Sequence, residues 1–342
     1  MTAPTAPTLT PLTLTLKEDK DFPEVFHTAD KGAIRSQNWN FFFLALELSA
    51  ISVAAIAQVF GQQLAPAIVN LLGLRAGNVA IFGHMYPAEE VTTSVARYAL
   101  PGLLMAFAIL AYAVRFCSRY HHRWLGQRAL AEASKGLAWR YSMHAMHADL
   151  SASTPLTEDE AHQAFQAELG QLEQQGHDLR LAPPTPEAVE LTRTMESLRL
   201  ASPSLQRDAY MEDRLNDQQR WYAGKAIRFE TLTTRLQLAR GGMYVLAALL
   251  IVFSQVGPNG LAAATTIAGA LATWLAGKRY DDLAQSYGAM ARELIGLKNK
   301  APNLTAANQD GIANQQAVWA AYVNEVETLL DGEHRDWLRS PQ

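Results

Sequence analysis

The sequence predicts an all-α integral membrane protein with two transmembrane helical hairpins (four transmembrane helices) and long cytoplasmic helical extensions. Three observations predict this fold class. Apolar residues are concentrated in four runs, although the whole chain is 49% hydrophobic and 18% charged, an average that suits a soluble protein. Basic residues flank each pair of runs. The segments outside the runs have the periodicity of amphipathic helices, with hardly any strand-like alternation.

Four apolar runs are close to the length of a transmembrane helix, which is about 20 mainly apolar residues. They span residues 41–61, 99–116, 241–256 and 260–277. The third run is short by this criterion, but only Gly257, Pro258 and Asn259 separate it from the fourth. This strong turn signal predicts a tight helical hairpin. A hairpin in the core of a soluble protein is the alternative interpretation of that pair.

The flanking charges predict the orientation of both hairpins, because cytoplasmic loops of membrane proteins carry an excess of Lys and Arg. Every flank outside a hairpin is basic, whereas the two connecting turns carry only Arg75 and Arg97 against Glu89 and Glu90. Both turns are therefore expected outside, with the N-terminus, the C-terminus and the middle segment in the cytoplasm. The basic flank residues are Lys31, Arg35, Arg115, Arg119, Arg123, Arg128, Arg235, Arg240, Lys278 and Arg279.

Composition and proline positions divide the chain into four segments. Residues 1–30 form a Thr/Pro-rich tail that we expect to be disordered, and residues 31–150 a first hairpin unit with a cytoplasmic helix. Residues 151–204 form a polar linker with short helices, and residues 205–340 a second hairpin unit with a C-terminal helix. The proline-free stretch 118–150 is expected to continue the second transmembrane helix as one rod.

A faint internal repeat accompanies this division. Arg119-Tyr120 follows the second apolar run, and Arg279-Tyr280 follows the fourth. Each dipeptide is expected to open a helix that extends from the membrane, which suggests two repeated units.

No residue pattern indicates catalysis or a bound cofactor. Cys117 is the single cysteine, so no internal disulfide can form, and no Cys/His set has the spacing of a zinc site. His144 and His147 would share a helix face, but no third ligand is in register with them. Nucleophile and phosphate-loop motifs are missing. We therefore predict no enzymatic activity, no metal and no cofactor, and the net charge of −4 disfavours nucleic acid as a partner.

Glu47 is an ionisable residue about two turns inside the first apolar run. Such a group is costly in a membrane and usually faces a bundle interior or water. We predict that Glu47, together with Thr265 and Thr273 of the fourth run, lines a conduction path. Alternatively, the first transmembrane helix begins late and Glu47 lies at the level of the headgroups.

Small residues recur along the fourth run. Such residues let helix backbones approach closely in lipid, so we predict that this face packs against another helix. The partner is either the third helix of the same chain or a helix of another subunit. The predicted packing residues are Ala264, Ala268, Gly269, Ala272 and Ala276.

Polar and aromatic residues are concentrated in three places outside the apolar runs. After the first hairpin they are Arg128-Ala129, Glu132, Lys135 and Trp139-Arg140-Tyr141; before the second hairpin they are Tyr210, Arg214-Leu215, Asp217-Gln218, Trp221-Tyr222 and Lys225-Ala226; near the end of the chain they are Glu327 and Glu333-His334-Arg335-Asp336-Trp337. Together these residues resemble the SLATT family, the two-transmembrane effector domains associated with SMODS nucleotidyltransferases and SLOG sensors. The arrangement resembles two fused SLATT-type units over roughly residues 30–340.

The resemblance implies a bacterial anti-phage defence effector that oligomerises in the inner membrane and permeabilises it on activation by a partner or signal. Its implied partners are membrane lipids, further copies of the same chain, and a nucleotide-signalling or sensor protein encoded nearby. The alternative is a membrane-anchored scaffold that clusters a cytoplasmic signalling partner without forming a pore.

The residues before the second hairpin recur at helical spacings of three and four, so they can pair along one helix face. We predict contacts between this face and the C-terminal helix, and ligand binding is the alternative. The residues predicted to make these contacts are Arg214, Asp217, Gln218, Trp221, Tyr222, Lys225, Glu333, His334 and Trp337.

The orientation predicts that tags at residue 1 and at residue 342 are both protected in intact cells. Protease or maleimide accessibility of tags at the two ends measures this, with the same tags in permeabilised cells as the control. A tag that is accessible from outside at either end would contradict the predicted orientation.

Overall fold

Helices dominate the computed structural model, which describes residues 15–18, 20–71, 78–81, 84–87, 91, 94–146, 156–183, 189–252, 258–304 and 309–339. The α-helices of the described residues are α1 (Glu24–Leu71), α2 (Leu100–Ser118), α3 (Tyr120–Ser142), α4 (Glu158–Gln175), α5 (Arg193–Arg199), α6 (Pro203–Ala209), α7 (Asp217–Val252), α8 (Pro258–Lys278), α9 (Tyr280–Asn299) and α10 (Gln309–Arg339). Two π-helical segments, Val95–Ala99 and Tyr210–Asn216, precede α2 and α7. The predicted helical fold class is confirmed.

The chain divides into two units, each assembled from separate stretches. Met1–Ser36, His121–Ala223 and Gly288–Gln342 form one unit, which we call the charged unit; Gln37–Tyr120 and Gly224–Tyr287 form the other, which we call the hairpin unit. All four apolar runs belong to the hairpin unit. Each of the four crossings of the chain between the units falls inside a helix, namely α1, α3, α7 or α9.

Two helical stretches among the described residues are long and apolar enough to cross a membrane. One lies in Glu24–Gln58 and the other in Leu100–Ser142, with mean hydropathies of 1.9 and 1.8. The core helix of a soluble protein would be mostly buried, but only 28% and 17% of the 18-residue apolar windows within these stretches is buried. On α2, Leu103 and Phe116 are 70% and 71% exposed. These helices fit a membrane protein, and crossing by the third and fourth runs stays a prediction.

Arg119 and Arg279 occupy equivalent places in the two hairpins. Arg119 separates α2 from α3 and Arg279 separates α8 from α9, with φ angles of 50° and 48° in the left-handed region. A left-handed residue ends a helix because it turns the following backbone out of the α-helical path. The repeat of Arg-Tyr in the sequence therefore corresponds to a repeated backbone conformation.

The tyrosine after each left-handed arginine contacts an aromatic ring of the helix that begins its hairpin. Tyr120 stacks on Phe43 of α1 with the ring centroids 6.0 Å apart. Tyr280 lies 5.3 Å from Phe229 of α7, centroid to centroid. Aromatic pairs at such separations add to the stability gained from burial, so both hairpins are fastened at their ends by the same kind of contact.

The single rod expected over residues 118–150 is wrong. The left-handed Arg119 separates α3 from α2, and α3 ends at Ser142. His144 lies beyond that end with a φ of 57°, and its Nε2 lies 2.7 Å from the carbonyl oxygen of Arg199. His147 is outside the described residues. Helical backbone also extends from Pro203 to Val252 through the π-helical segment.

The described residues of the connection within the first hairpin include helix and strand. Helix α1 continues to Leu71. Two short strands, β1 (Asn78–Ile81) and β2 (His84–Pro87), then pair antiparallel, with Val79 opposite Tyr86. Both strands are too short for alternation to be recognised in the sequence.

Helix α4 is the surface helix predicted in the polar linker, and its ends are encoded locally. Thr157 and Glu160 form a capping box, in which the Thr157 amide donates to Glu160 Oε2 at 2.9 Å. Ala161, Phe165 and Leu169 recur every fourth residue and are buried. One side of α4 therefore packs against the rest of the charged unit.

We expect Thr157→Ala to destabilise α4 by about 1 kcal/mol, because the helix loses its cap. Gly170→Ala is the matched control, since a methyl group there meets nothing within 4 Å and should stabilise the helix by about 1 kcal/mol. Hydrogen exchange of the α4 amides in the full-length protein measures both effects. Equal exchange rates in the two variants would contradict the importance of the cap.

Candidate functional site

A fully buried ion pair lies at the centre of the charged unit. Arg214, on the π-helical segment, and Glu327, on α10, have side chains that are 1% and 0% exposed. Arg214 donates from Nε to Glu327 Oε1 at 2.9 Å and from Nη2 to Oε2 at 2.7 Å. This two-pronged geometry is the strongest that an Arg and a carboxylate can form.

Tyr210 and Glu132 complete the surroundings of the pair. The Tyr210 hydroxyl donates to Glu327 Oε1 at 2.8 Å. Glu132 of α3 brings Oε2 to 4.0 Å from Arg214 Nη1, and that nitrogen has no hydrogen-bond partner among the described residues. One nitrogen of the guanidinium therefore depends on electrostatic attraction alone.

The network continues from Glu132 to the edge of the unit. Arg128 lies 2.5 Å from Glu132 through Nη2 and 2.9 Å from Asp30 of α1 through Nη1. Lys135, on the next turn of α3, pairs with Glu18 and lies 5.7 Å from the centroid of the Phe22 ring. Residues of α1, α3, the π-helical segment and α10 thus form one connected set of charges.

A second ion pair joins α3 to α10. Arg140 Nη2 lies 2.5 Å from Asp331 Oδ2. Gly136 lies between the two pairs, and a Cβ atom at this position would be 3.0 Å from Glu327 Oε2. The absence of a side chain at Gly136 is what allows the buried carboxylate to lie so close to α3.

Aromatic rings enclose the network. Tyr210 lies edge-on to Trp139 at 5.5 Å and to Trp319 at 5.6 Å between ring centroids. Trp139 and Trp319 are 1% and 0% exposed. Because these rings exclude water, the charges interact in a medium of low dielectric constant.

Burial and charge together set the protonation of the central groups. Burial opposes the charge of Arg214, but the Glu327 carboxylate outweighs burial and raises the pKa of Arg214. Burial, followed by the negative charge of Glu327, raises the pKa of Tyr210 well above its ordinary value. Arg214 therefore stays charged and Tyr210 stays a neutral donor throughout the physiological range.

Burial also raises the pKa of Asp331, more than Arg140 lowers it. A folded-state pKa above the unfolded value means that the folded protein holds this proton more tightly. The stabilisation from protonating Asp331 is therefore complete below the unfolded pKa and is lost as the pH rises through the folded one.

The structure places the predicted motif residues in three different environments. Arg214 and Tyr222 are 1% exposed and Gln218 is 9% exposed, whereas Asp217 is exposed. Trp221 contacts Tyr222 edge-on with ring centroids 4.9 Å apart. Arg214, Gln218 and Tyr222 follow one another at intervals of four residues on the buried side, whereas Asp217 lies off it.

Lys225 and three residues of α10 are the remaining motif residues. Lys225 belongs to the hairpin unit, and its Nζ lies 5.9 Å from the centroid of the Phe229 ring. Glu333, His334 and Trp337 belong to α10, but their side chains are outside the described residues. Among the described residues, Glu327 makes a contact between this motif and the C-terminal helix, and the contacts predicted for Glu333, His334 and Trp337 stay predictions.

Glu327, Asp331 and Arg140 were missed as candidate site residues, although Glu327 and Arg140 stand in the motif. A signal for Glu327 exists in the sequence. The buried residues Val323, Val326 and Leu330 form the apolar stripe of α10, and Glu327 falls within that stripe. A carboxylate on a buried face needs a cationic partner, and Arg214 is the partner.

In the hairpin unit, Glu47 is paired. Arg115 of α2 donates from Nη2 to Glu47 Oε2 at 2.9 Å, and the side chains are 26% and 16% exposed respectively. Helix α1 begins at Glu24, so the backbone is already helical long before Glu47. The opposite charges of Glu47 and Arg115 therefore neutralise each other within the apolar region.

The threonines and small residues of α8 divide between a buried and an exposed side. Ala264 and Ala268 are 6% and 0% exposed, in line with a packing role. Thr265, Gly269 and Thr273 are exposed, and Thr273 Oγ1 donates to the Gly269 carbonyl at 3.0 Å. Ala272 is half-buried and Ala276 exposed.

Helix α8 contacts α1 near its C-terminal end. A Cβ atom on Gly277 would lie 3.1 Å from Leu44 Cδ2, and the rings of Trp274 and Phe41 are 6.0 Å apart between centroids. The absence of a side chain at Gly277 thus allows a close approach of α8 to α1.

Within the described part of the chain, no group of three or more His, Cys, Asp or Glu residues is arranged to hold a metal ion. The buried network consists of ion pairs between its charged residues. The arrangement can hold α3, the π-helical segment and α10 in register. It can release these segments when a carboxylate or a guanidinium loses its partner.

We expect Glu327→Gln to destabilise the charged unit by about 3–5 kcal/mol, because it leaves the charge of Arg214 buried without compensation. The double variant Arg214→Met/Glu327→Met should recover most of that loss, because apolar side chains of similar volume replace a buried pair at little cost. Thermal unfolding of the full-length protein in detergent, followed by circular dichroism, measures both.

Arg220→Gln is the matched control for this pair. Arg220 lies 3.1 Å from Glu212 with both side chains about 60% exposed, and exposed pairs contribute roughly 0–1 kcal/mol. A loss for Glu327→Gln no larger than that for Arg220→Gln would contradict the central role of the buried pair.

Comparison with known families matches two consecutive parts of the chain. Residues 79–207 match the SMODS and SLOG-associating 2TM effector domain 3, and residues 210–337 match the SMODS and SLOG-associating 2TM effector domain 1. These are effector domains associated with defence systems. Neither a curated protein nor a solved structure matches the chain significantly. The motifs of the charged network fall in both matched parts, and the chain belongs to the SLATT family, with two SLATT-type domains fused in tandem.

Proposed function

We propose that the chain is a bacterial anti-phage effector that oligomerises in the inner membrane and permeabilises it when a partner or signal activates it. The observation that carries the proposal is the exposed apolar surface of the hairpin unit. Ile109 and Leu110 of α2 are 64% and 59% exposed, so this surface needs lipid or other helices around it. The termini and the charged unit lie in the cytoplasm in this proposal.

The buried network is suited to act as the switch. Glu132 and Arg140 belong to the first SLATT-type domain, whereas Arg214, Glu327 and Asp331 belong to the second. The network therefore joins the two domains inside the charged unit. Partner binding that separates one charge from its counter-charge would favour a different packing, because a buried unpaired charge is costly.

The helices offer a route from this switch to the membrane. Helices α1, α3, α7 and α9 each contribute residues to both units. A helix transmits a displacement or rotation along its length because its backbone hydrogen bonds are internal. We propose that rearrangement of the charged unit moves the hairpins by this route.

The conduction path in this proposal includes Glu47, Thr265 and Thr273. The Glu47–Arg115 pair, at 2.9 Å, corresponds to a resting state in which neither charge is offered to an ion. Release of Arg115 on activation would present the Glu47 carboxylate to a water-filled path. The exposed side of α8 supplies hydroxyl groups and small residues where neighbouring copies would meet.

Membrane potential is the measurement that tests the function. We expect rapid depolarisation in cells that express the chain with its genomic neighbours under phage challenge, and no depolarisation after truncation of either hairpin. A steady potential while the protein is inserted and assembled would overturn permeabilisation and favour the membrane-anchored scaffold.

For the path itself, we expect Glu47→Gln and Glu47→Leu to reduce ion flux after activation, because each removes the carboxylate from the path. Thr265→Val together with Thr273→Val should reduce flux as well. Thr266→Val is the matched control. The Thr266 hydroxyl, like that of Thr273, donates to a carbonyl of its own helix, in this case that of Ala262 at 2.8 Å. Unchanged flux and toxicity in both Glu47 variants would remove Glu47 from the conduction path.

A further inference from the structure

An open cavity of about 380 Å³ lies in the hairpin unit, where the end of α8 meets α7 and the start of α9. Its volume falls within the range of about 300–1,000 Å³ for small-molecule sites. The polar residues around it are Thr233, Gln237, Arg240, Arg279, Asp281 and Asp282. None of them belongs to the charged network or to the proposed conduction path.

Thr233 provides an unused hydrogen-bonding group in this cavity. Its residue is 8% exposed, yet its Oγ1 has no hydrogen-bond partner among the described residues. The neighbouring hydroxyls on α7 behave differently, because Thr231 donates to the Ile227 carbonyl at 2.8 Å and Thr234 to the Glu230 carbonyl at 3.0 Å. A buried hydroxyl without a partner is unusual in a folded protein, so this group is available to a ligand.

The α7 side of the cavity is a single polar face. Thr233, Gln237 and Arg240 are separated by four and three residues, so they lie above one another along the helix. A hydroxyl, an amide and a guanidinium are the groups that donate hydrogen bonds to phosphate oxygens.

The opposite side of the cavity carries both signs of charge. Arg279 donates from Nε to Asp282 Oδ2 at 2.9 Å, so these two charges compensate each other. No ion pair of Arg240 or of Asp281 is present within the described ranges. One cation and one carboxylate are therefore left to recognise a ligand that itself carries both signs.

The cavity also lies at a defined level of the proposed membrane topology, on which this inference rests. Arg240 directly precedes the third apolar run, and Arg279 follows the fourth by two residues. In that topology both arginines lie where cytoplasmic headgroups meet the hydrocarbon, and the apolar helices above the cavity can accompany acyl chains.

We infer that this cavity binds the phosphoethanolamine headgroup of a membrane phospholipid. The phosphate accepts hydrogen bonds from Thr233, Gln237 and Arg240, and the ammonium donates to Asp281. A purely anionic headgroup would leave Asp281 without a counter-charge. The bound phospholipid stabilises the end of the second hairpin and fixes the position of that hairpin relative to the surrounding bilayer.

Native mass spectrometry of the full-length protein in detergent tests this site. The probes are phosphatidylethanolamine and phosphatidylglycerol with identical acyl chains, each titrated alone. We expect phosphatidylethanolamine to be retained in preference to phosphatidylglycerol. Thr233→Val and Arg240→Gln should weaken its retention, roughly tenfold for Arg240→Gln. Asp281→Asn should abolish the preference between the two lipids.

Thr234→Val and Arg235→Gln are the matched controls, because these exposed neighbours on α7 do not line the cavity. Equal retention of phosphatidylethanolamine in the site variants and the controls would overturn the inference. Thr233→Val keeps the size of the side chain, so it tests the site even if Arg240→Gln fails to fold.

Soluble phosphoethanolamine distinguishes a lipid from a free metabolite. We expect it to displace little bound lipid, because it has no acyl chains to contribute apolar contact. Complete displacement by soluble phosphoethanolamine would overturn the lipid as the source of the headgroup. Retention in detergent does not depend on permeabilisation. If the protein binds the lipid but leaves the membrane potential unchanged, the proposed function is contradicted and the lipid site is not.

Discussion

Arg214 and Glu327 have been removed from water completely, and the cost of that removal constrains the charged unit around them. The two hydrogen bonds between them, at 2.9 and 2.7 Å, require α10 and the π-helical segment to meet in one register. The third nitrogen of the guanidinium requires Glu132 to lie nearby on α3. The absence of a side chain at Gly136 leaves space for the Glu327 carboxylate. Trp139, Tyr210 and Trp319 keep water out. A buried pair of this kind adds little net stability over apolar side chains, but it penalises every packing in which the partners are separated.

That constraint acts between two domains that the sequence encodes one after the other. Residues of the first SLATT-type domain supply α3, and residues of the second supply the π-helical segment and α10. The charged unit is therefore shared by both domains, as is the hairpin unit. Without the second domain Arg140 would lack Asp331, and without the first Arg214 would lose the nearby carboxylate of Glu132. An effector that depends on shared buried charges is well suited to a two-state response, since intermediate packings leave charges unpaired.

Local signals predicted much of this fold, and long-range pairing explains most of what they missed. Pro203 begins α6, Pro258 begins α8, and Thr157 and Glu160 cap α4; Gly257 of the predicted turn is outside the described residues. The left-handed angles of Arg119 and Arg279 were not predictable, because arginine rarely adopts them and no glycine marks these turns. The π-helical backbone of Tyr210–Asn216 was likewise not predicted, because the sequence was interpreted with α-helical spacing. Arg214 and Glu327 are separated by 113 residues, so only the charge within the apolar stripe of α10 pointed to their contact. Glu47 stood out as an isolated carboxylate, while Arg115 was assigned to the membrane flank rather than to a partnership.

The paired left-handed arginines have a consequence for assembly. They mark two hairpins of similar design but different sequence, joined in one chain and therefore always present in equal numbers. A closed ring of such chains would alternate the two kinds of hairpin, with twice as many hairpins as its order of rotational symmetry. Contacts within a chain and contacts between chains would then differ around the ring. Fusion thereby fixes which hairpin stands beside which, a choice that an assembly of separate single-hairpin proteins would have to make at every contact.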